Sequence, residues 1–148
     1  RGFSGAAPSR AFARRGFAQL VVQSAANDWY LNADLAPLMR ALVPVCAGLI
    51  PSPGREDLRV HALPADAADP YASLAQTLPK TPVWLFHGAL DDIIPPQASR
   101  DTFAALQAAG HPVHYTEFAE ANHNAWDAAY GSPALWSWLF AQRRHSSD

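Results

Sequence analysis

One stretch limits the possible folds of this chain more than any other. From Thr81 to Phe118 it reads as strand, loop, helix, strand. Val83-Trp84-Leu85-Phe86-His87 is a nearly unbroken apolar run, the pattern of a strand covered on both faces. Gly88 to Pro96 is rich in turn residues. Ser99 to Ala109 has helical spacing that turns Phe103 and Leu106 inward, with Gly110 as its C-terminal stop. Val113 to Phe118 is a second strand. A strand joined to the next through a helix gives a parallel sheet with right-handed crossovers, and the fold class is therefore α/β.

The same grammar extends both ways. Ala41-Leu42-Val43-Pro44-Val45-Cys46-Ala47-Gly48 reads as another short buried strand. Before it, Gln19-Leu20-Val21-Val22-Gln23 reads as a strand running through Ser24 to Asp28 into a helix carrying Leu31, Leu35, Leu38 and Met39, interrupted at Pro37. Residues 51–80 hold several prolines and little periodicity, so a long connection with one helical turn near Tyr71 to Leu78 is expected. At the other end Ser132 reads as an N-cap and Pro133 as the first helical residue. The closing helix is expected to bury Leu135, Trp136, Leu139 and Phe140, with Arg143, Arg144 and His145 at its end. The whole is a mostly parallel sheet of about four strands with flanking helices.

Length and charge exclude several classes. The chain has 148 residues, enough for one domain. Hydrophobic residues reach 49%, a large share of them alanine, so the core is thin. The net charge of −2 leaves no basic field for a phosphate backbone, so no nucleic-acid partner is expected. No apolar run approaches the roughly 18 residues of a membrane span. The single cysteine, Cys46, excludes an internal disulfide or a Cys-cluster metal site. Residues 1–18 are expected to be irregular and residues 19–148 to form the domain. Arg1, Arg10, Arg14 and Arg15 give the start an acid-poor bias shared with export and transit segments, but the following apolar stretch is short and flanked by glutamines. The absence of a starting methionine reads as a processed or truncated product.

In parallel sheets the chemistry gathers in loops at the carboxyl ends of the strands. Two such loops carry titratable groups, one with Asp91 and Asp92, the other with His123. One helix and one strand separate them, so neighbouring strands place them side by side. Other histidines fit packing better. His87 lies on the strand and is expected to pack or bond beneath the loop, His61 falls in the long connection, and His111 and His114 have no third ligand near in sequence. Trp126 and Tyr130 fit either a pocket wall or, more readily, core positions under the final helix.

His87-Gly88-Ala89-Leu90-Asp91-Asp92-Ile93-Ile94-Pro95 resembles the acid loop of α/β-hydrolases. Glu120-Ala121-Asn122-His123-Asn124-Ala125-Trp126-Asp127 resembles the histidine loop of the branch of that superfamily holding dienelactone-hydrolase-like esterases and predicted peptidases. The likeness is strong from Thr81 to Arg144 and corresponds to the C-terminal half of such a fold. It implies a serine hydrolase acting on an ester or amide through an acyl-enzyme, with Asp91 as the acid, His123 as the base, a small-molecule ester or peptide as substrate, and no metal or organic cofactor. Asp91 is preferred to Asp92, which reads as a solvated turn residue.

The nucleophile is the weak point. Such enzymes place a serine on a tight strand-to-helix turn flanked by small residues. Ser24 has the right position, after one strand and before a helix, yet Val22 stands where a small residue is wanted and Ala25-Ala26 replace the usual glycines. Ser4, in Gly2-Phe3-Ser4-Gly5-Ala6, has the letters without a preceding strand. The upstream loop that completes the oxyanion hole has no counterpart in the pattern. A non-catalytic module or fragment that has lost its nucleophile is therefore the competing expectation.

Overall fold

The computed structural model describes residues 41–50 and 67–142. The expected strand at Leu20–Gln23, the helix after Ser24, His61 and the basic tail from Arg143 lie outside the described residues, as do both candidate nucleophiles, Ser24 and Ser4.

Two strands, β1 (Val83–Gly88) and β2 (Val113–Phe118), pair in parallel, with Val83 opposite Val113 and Gly88 opposite Phe118. The segment around residues 42–46 lies on the other side of β1 and pairs with it in parallel at two separate points, Leu42 with Val83 and Val45 with Phe86. It carries the same register throughout but not a continuous ladder. Leu42 N–H donates to Pro82 O, and Cys46 N–H donates to Phe86 O. Between them Pro44 accepts from Phe86 N–H but has no N–H to return to the strand, and one rung is missing. The expected strand is thus present as a proline-interrupted one. With it, the described residues contain three of the roughly four expected strand segments.

Helices cover both faces. Helix α1 (Pro70–Thr77) opens on Asp69, whose carboxylate accepts from Tyr71 N–H at 2.9 Å and Ala72 N–H at 3.0 Å, with Pro70 in the first turn. The cap extends what composition presents as one turn into 8 residues. Helix α2 (Gln97–Ala108) ends at Gly110, where φ is +73° and Gly110 N–H donates to Gln107 O. Alternate β1 residues explain the layers. Val83 and Leu85 face α1 and α2 and pack with Leu42, Ala75, Leu78 and Leu106. Phe86 faces the other way and packs with Ala129 and Leu135, joined by Val43, Val45, Trp84, Phe118, Tyr130 and Trp138. These come partly from α3 (Trp126–Gly131), a helix the sequence pattern did not announce, and α4 (Pro133–Ala141).

Three expectations need correction. Ser132 sits at the start of α4, but its side chain makes no capping bond; the same residue also ends the preceding helix, its N–H donating to Ala129 O. Leu135 and Trp136 are buried as expected, whereas Phe140 is 41% exposed and Trp138 takes the inward place against Trp84. Trp126 is not a core residue: it is 40% exposed, because the extra short helix carries it away from the sheet while turning Ala129 and Tyr130 inward.

Candidate active site

Both loops leave the sheet at the carboxyl ends of adjacent strands, β1 and β2, and are stitched together at once. Ala89 N–H donates to Phe118 O, and Leu90 N–H donates to Ala121 O, both at 2.9 Å. Gly88 makes this approach possible. A Cβ on that residue would stand 2.1 Å from Asn122 O and 2.4 Å from Ala121 O, so any side chain there forces the loops apart.

The stitching brings Asp91 to His123. Asp91 Oδ2 lies 2.9 Å from His123 Nδ1. A carboxylate only accepts, so Nδ1 carries the proton, and Nε2 is left as the ring nitrogen able to take one. The other oxygen, Oδ1, accepts from Ile93 N–H and Ile94 N–H, both at 2.9 Å. Asp91 is therefore a turn-forming residue and a histidine partner at once, one oxygen for each task. Its side chain is fully buried, while Asp92 is exposed. Burial works against the charge of Asp91. The bond from His123, the N–H groups of Ile94 and Ile93, and the Cys46 thiol outweigh burial and hold the carboxyl below its ordinary range.

Two further groups close around the same carboxylate. His87, fully buried, places Nε2 2.9 Å from Ile94 O and 3.0 Å from Asp91 Oδ2, with Nδ1 2.7 Å from Ser99 Oγ on α2. The expectation that His87 bonds beneath the loop holds, and its closeness to the acid is an addition. Cys46, buried at the end of the segment beside β1, has φ of +50°. Its thiol is pushed up by burial, against backbone hydrogen bonds at Gly88 and Ala125, with the neighbouring Asp91 adding to the rise. Cys46, His87 and Asp91 each offer one metal-ligating atom, all within 4.8 Å of one another. Sequence reasoning missed Cys46; the usable signal was its place at the carboxyl end of a predicted strand, the edge where Asp91 and His123 also lie.

On the open side, the Trp126 ring stands edge-on to His123, with centroids 5.6 Å apart and planes at 87°. His111 and His114 do not converge. His111 is buried with Nε2 2.7 Å from Ala75 O, and His114 lies on the surface against Trp84 and Trp138. Among the described residues no helix is long and apolar enough to cross a membrane.

The parallel sheet with helices on both faces has the α/β-hydrolase fold of its structural neighbours. Residues 59–141, more than half of the chain, match the model of the prolyl oligopeptidase family (peptidase S9), and the chain belongs to that family. It is 35% identical over 66 residues to Lipase 5 of Candida albicans (strain SC5314 / ATCC MYA-2876), an alignment covering 43% of this chain and 14% of the lipase. Among solved structures it resembles a thermostable esterase, with a TM-score of 0.52, 24% identity, and coverage of 71% of this chain and 24% of the esterase. It also resembles an acylaminoacyl peptidase of Pyrococcus horikoshii, with a TM-score of 0.53, 17% identity, and coverage of 80% and 22%. The chain thus spans about a quarter or less of the length of these relatives.

Proposed function

We propose that this chain carries the acid and base of a serine hydrolase that cleaves an ester or amide bond through an acyl-enzyme. The observation that supports it most is the 2.9 Å bond between Asp91 Oδ2 and His123 Nδ1, and the relationship to a peptidase family and a lipase agrees with it. In this reading His123 Nε2 takes the proton of an attacking serine hydroxyl and returns it to the leaving group. Asp91 holds the ring in the tautomer that keeps Nε2 free for this, and stabilises the imidazolium while the proton is on the ring. Ser24 is the proposed nucleophile, with Ser4 as second candidate. The substrate is a small ester or peptide.

Labelling of the full chain with a fluorophosphonate probe tests this. The probe is expected to react, and Ser24→Ala to abolish the reaction while Ser4→Ala leaves it. Labelling lost only in Ser4→Ala moves the nucleophile to that residue. Unlabelled wild-type chain overturns the proposal in favour of a non-catalytic module of the same fold.

A further inference from the structure

We infer that His87 is a positioning residue for Asp91, acting through that carboxylate on His123; this rests on the reading of Asp91 and His123 as acid and base. A fully buried imidazole is costly unless both ring nitrogens find partners. Both do. Ile94 O lies 2.9 Å from Nε2 and Ser99 Oγ 2.7 Å from Nδ1, and those two bonds would satisfy a histidine that merely packs. The additional approach of Nε2 to Asp91 Oδ2, at 3.0 Å, is not needed for packing. Carbonyl and carboxylate oxygens only accept, so Nε2 carries a proton; it donates to Ile94 O and stands 3.0 Å from Asp91 Oδ2, which puts one ring nitrogen against the first and fourth residues of the turn from Asp91 to Ile94.

The consequence falls on the carboxylate. Oδ1 is held by Ile93 and Ile94 N–H, and Oδ2 lies between two imidazoles, His87 at 3.0 Å and His123 at 2.9 Å. Rotating the carboxyl group would break contacts on both oxygens. His87 is itself anchored at its far side to Ser99, which is buried on α2. The orientation of the base is therefore fixed from the helix, through Ser99, His87 and Asp91, to His123.

The low-field proton resonance of the His123 Nδ1–H in the full chain reads this without requiring a nucleophile. In His87→Leu it is expected to move upfield and exchange with water at least about tenfold faster, as the anchoring of the acid loosens. Ser99→Ala is expected to do the same to a smaller extent, and His87→Gln, which keeps an N–H donor, to retain more of the signal than His87→Leu. If the chain hydrolyses an aryl ester, His87→Leu lowers kcat by about 10- to 100-fold with KM within about twofold, the signature of misplacement rather than lost binding. A folded His87→Leu chain with the parental resonance and exchange overturns the inference. If His87→Leu does not fold, parental behaviour in both Ser99→Ala and His87→Gln does so. Asp91→Asn is the control: a resonance that survives it contradicts the acid–base reading itself, and one lost there but unchanged in the His87 and Ser99 variants contradicts only the positioning role.

Discussion

The loop after β1 is held far more tightly than the loop after β2. In the first, Asp91 is buried and its carboxylate is gripped on both oxygens, while its N–H donates to Gly88 O. In the second, the His123 side chain is 30% exposed; Ala121 N–H donates to Phe118 O, and the side-chain bonds within the loop, Asn124 N–H to Asn122 Oδ1 and Asn124 Nδ2 to Asp127 Oδ2, are both at the surface. The difference matches the tasks proposed for the two groups. An acid that only orients and stabilises gains from immobility. A base that takes a proton from one partner and delivers it to another needs its second nitrogen open to both. One loop supplies the fixed point, and the other holds its histidine against it through Nδ1 and leaves the ring partly exposed.

Asp91→Asn should break that asymmetry with the largest effect. The amide keeps the shape but can favour the wrong histidine tautomer, and kcat is expected to fall by about 10⁴-fold in steady-state ester hydrolysis, with the melting temperature changing far less. Gly88→Ala attacks the seam between the loops. With a Cβ 2.1 Å from Asn122 O, a loss of about 3 kcal/mol is expected by urea denaturation, together with loss of the His123 resonance. A stable Gly88→Ala chain would mean that the loops do not rely on their close approach. Trp126→Ala probes the freer loop alone: its edge-on contact with His123 is expected to be worth about 1 kcal/mol, read as a several-fold fall in kcat/KM with little change in stability.

Acid titration separates the loops more gently. The folded-state pKa of Asp91 lies below its ordinary value, so its contribution is fully present above the unfolded-state pKa of about 3.9 and is lost as pH falls through the folded value. Glu117 behaves in the same direction, held down first by Arg100 and then by Tyr115. Thermal melts from pH 6 downward should therefore show stability falling as pH drops below about 4, with a shallower decline in Asp91→Asn. The smallest effect is expected from Arg100→Ala: although its guanidinium reaches both Glu117 oxygens, at 2.9 and 2.7 Å, the pair is exposed and screened by solvent, and the melting temperature should stay close to the parental value.

Much of this arrangement was legible in the residues. The apolar run at Val83–His87 and the helical spacing that ends at Gly110 reported the β1–α2–β2 unit directly, because burial on two faces and a helix stop leave local marks. Asp91 and His123 were legible as neighbours because topology alone brings consecutive parallel strands together. What stayed hidden depends on contacts distant in sequence. Nothing local to Cys46 shows that its thiol meets Asp91, and nothing in Trp126-Asp127-Ala128-Ala129-Tyr130 separates a short helix from a loop feeding the next one. Pro44 did carry a signal for the broken ladder, since a strand proline always withholds one donor.

Whether Asp91 and His123 work as one unit is read from the rate of fluorophosphonate labelling in Asp91→Asn, His123→Ala and the double variant. Groups that act together are strongly non-additive, so the double variant is predicted to label no more slowly than His123→Ala alone. Losses that multiply in the double variant would show two residues acting independently, with no shared proton bridge.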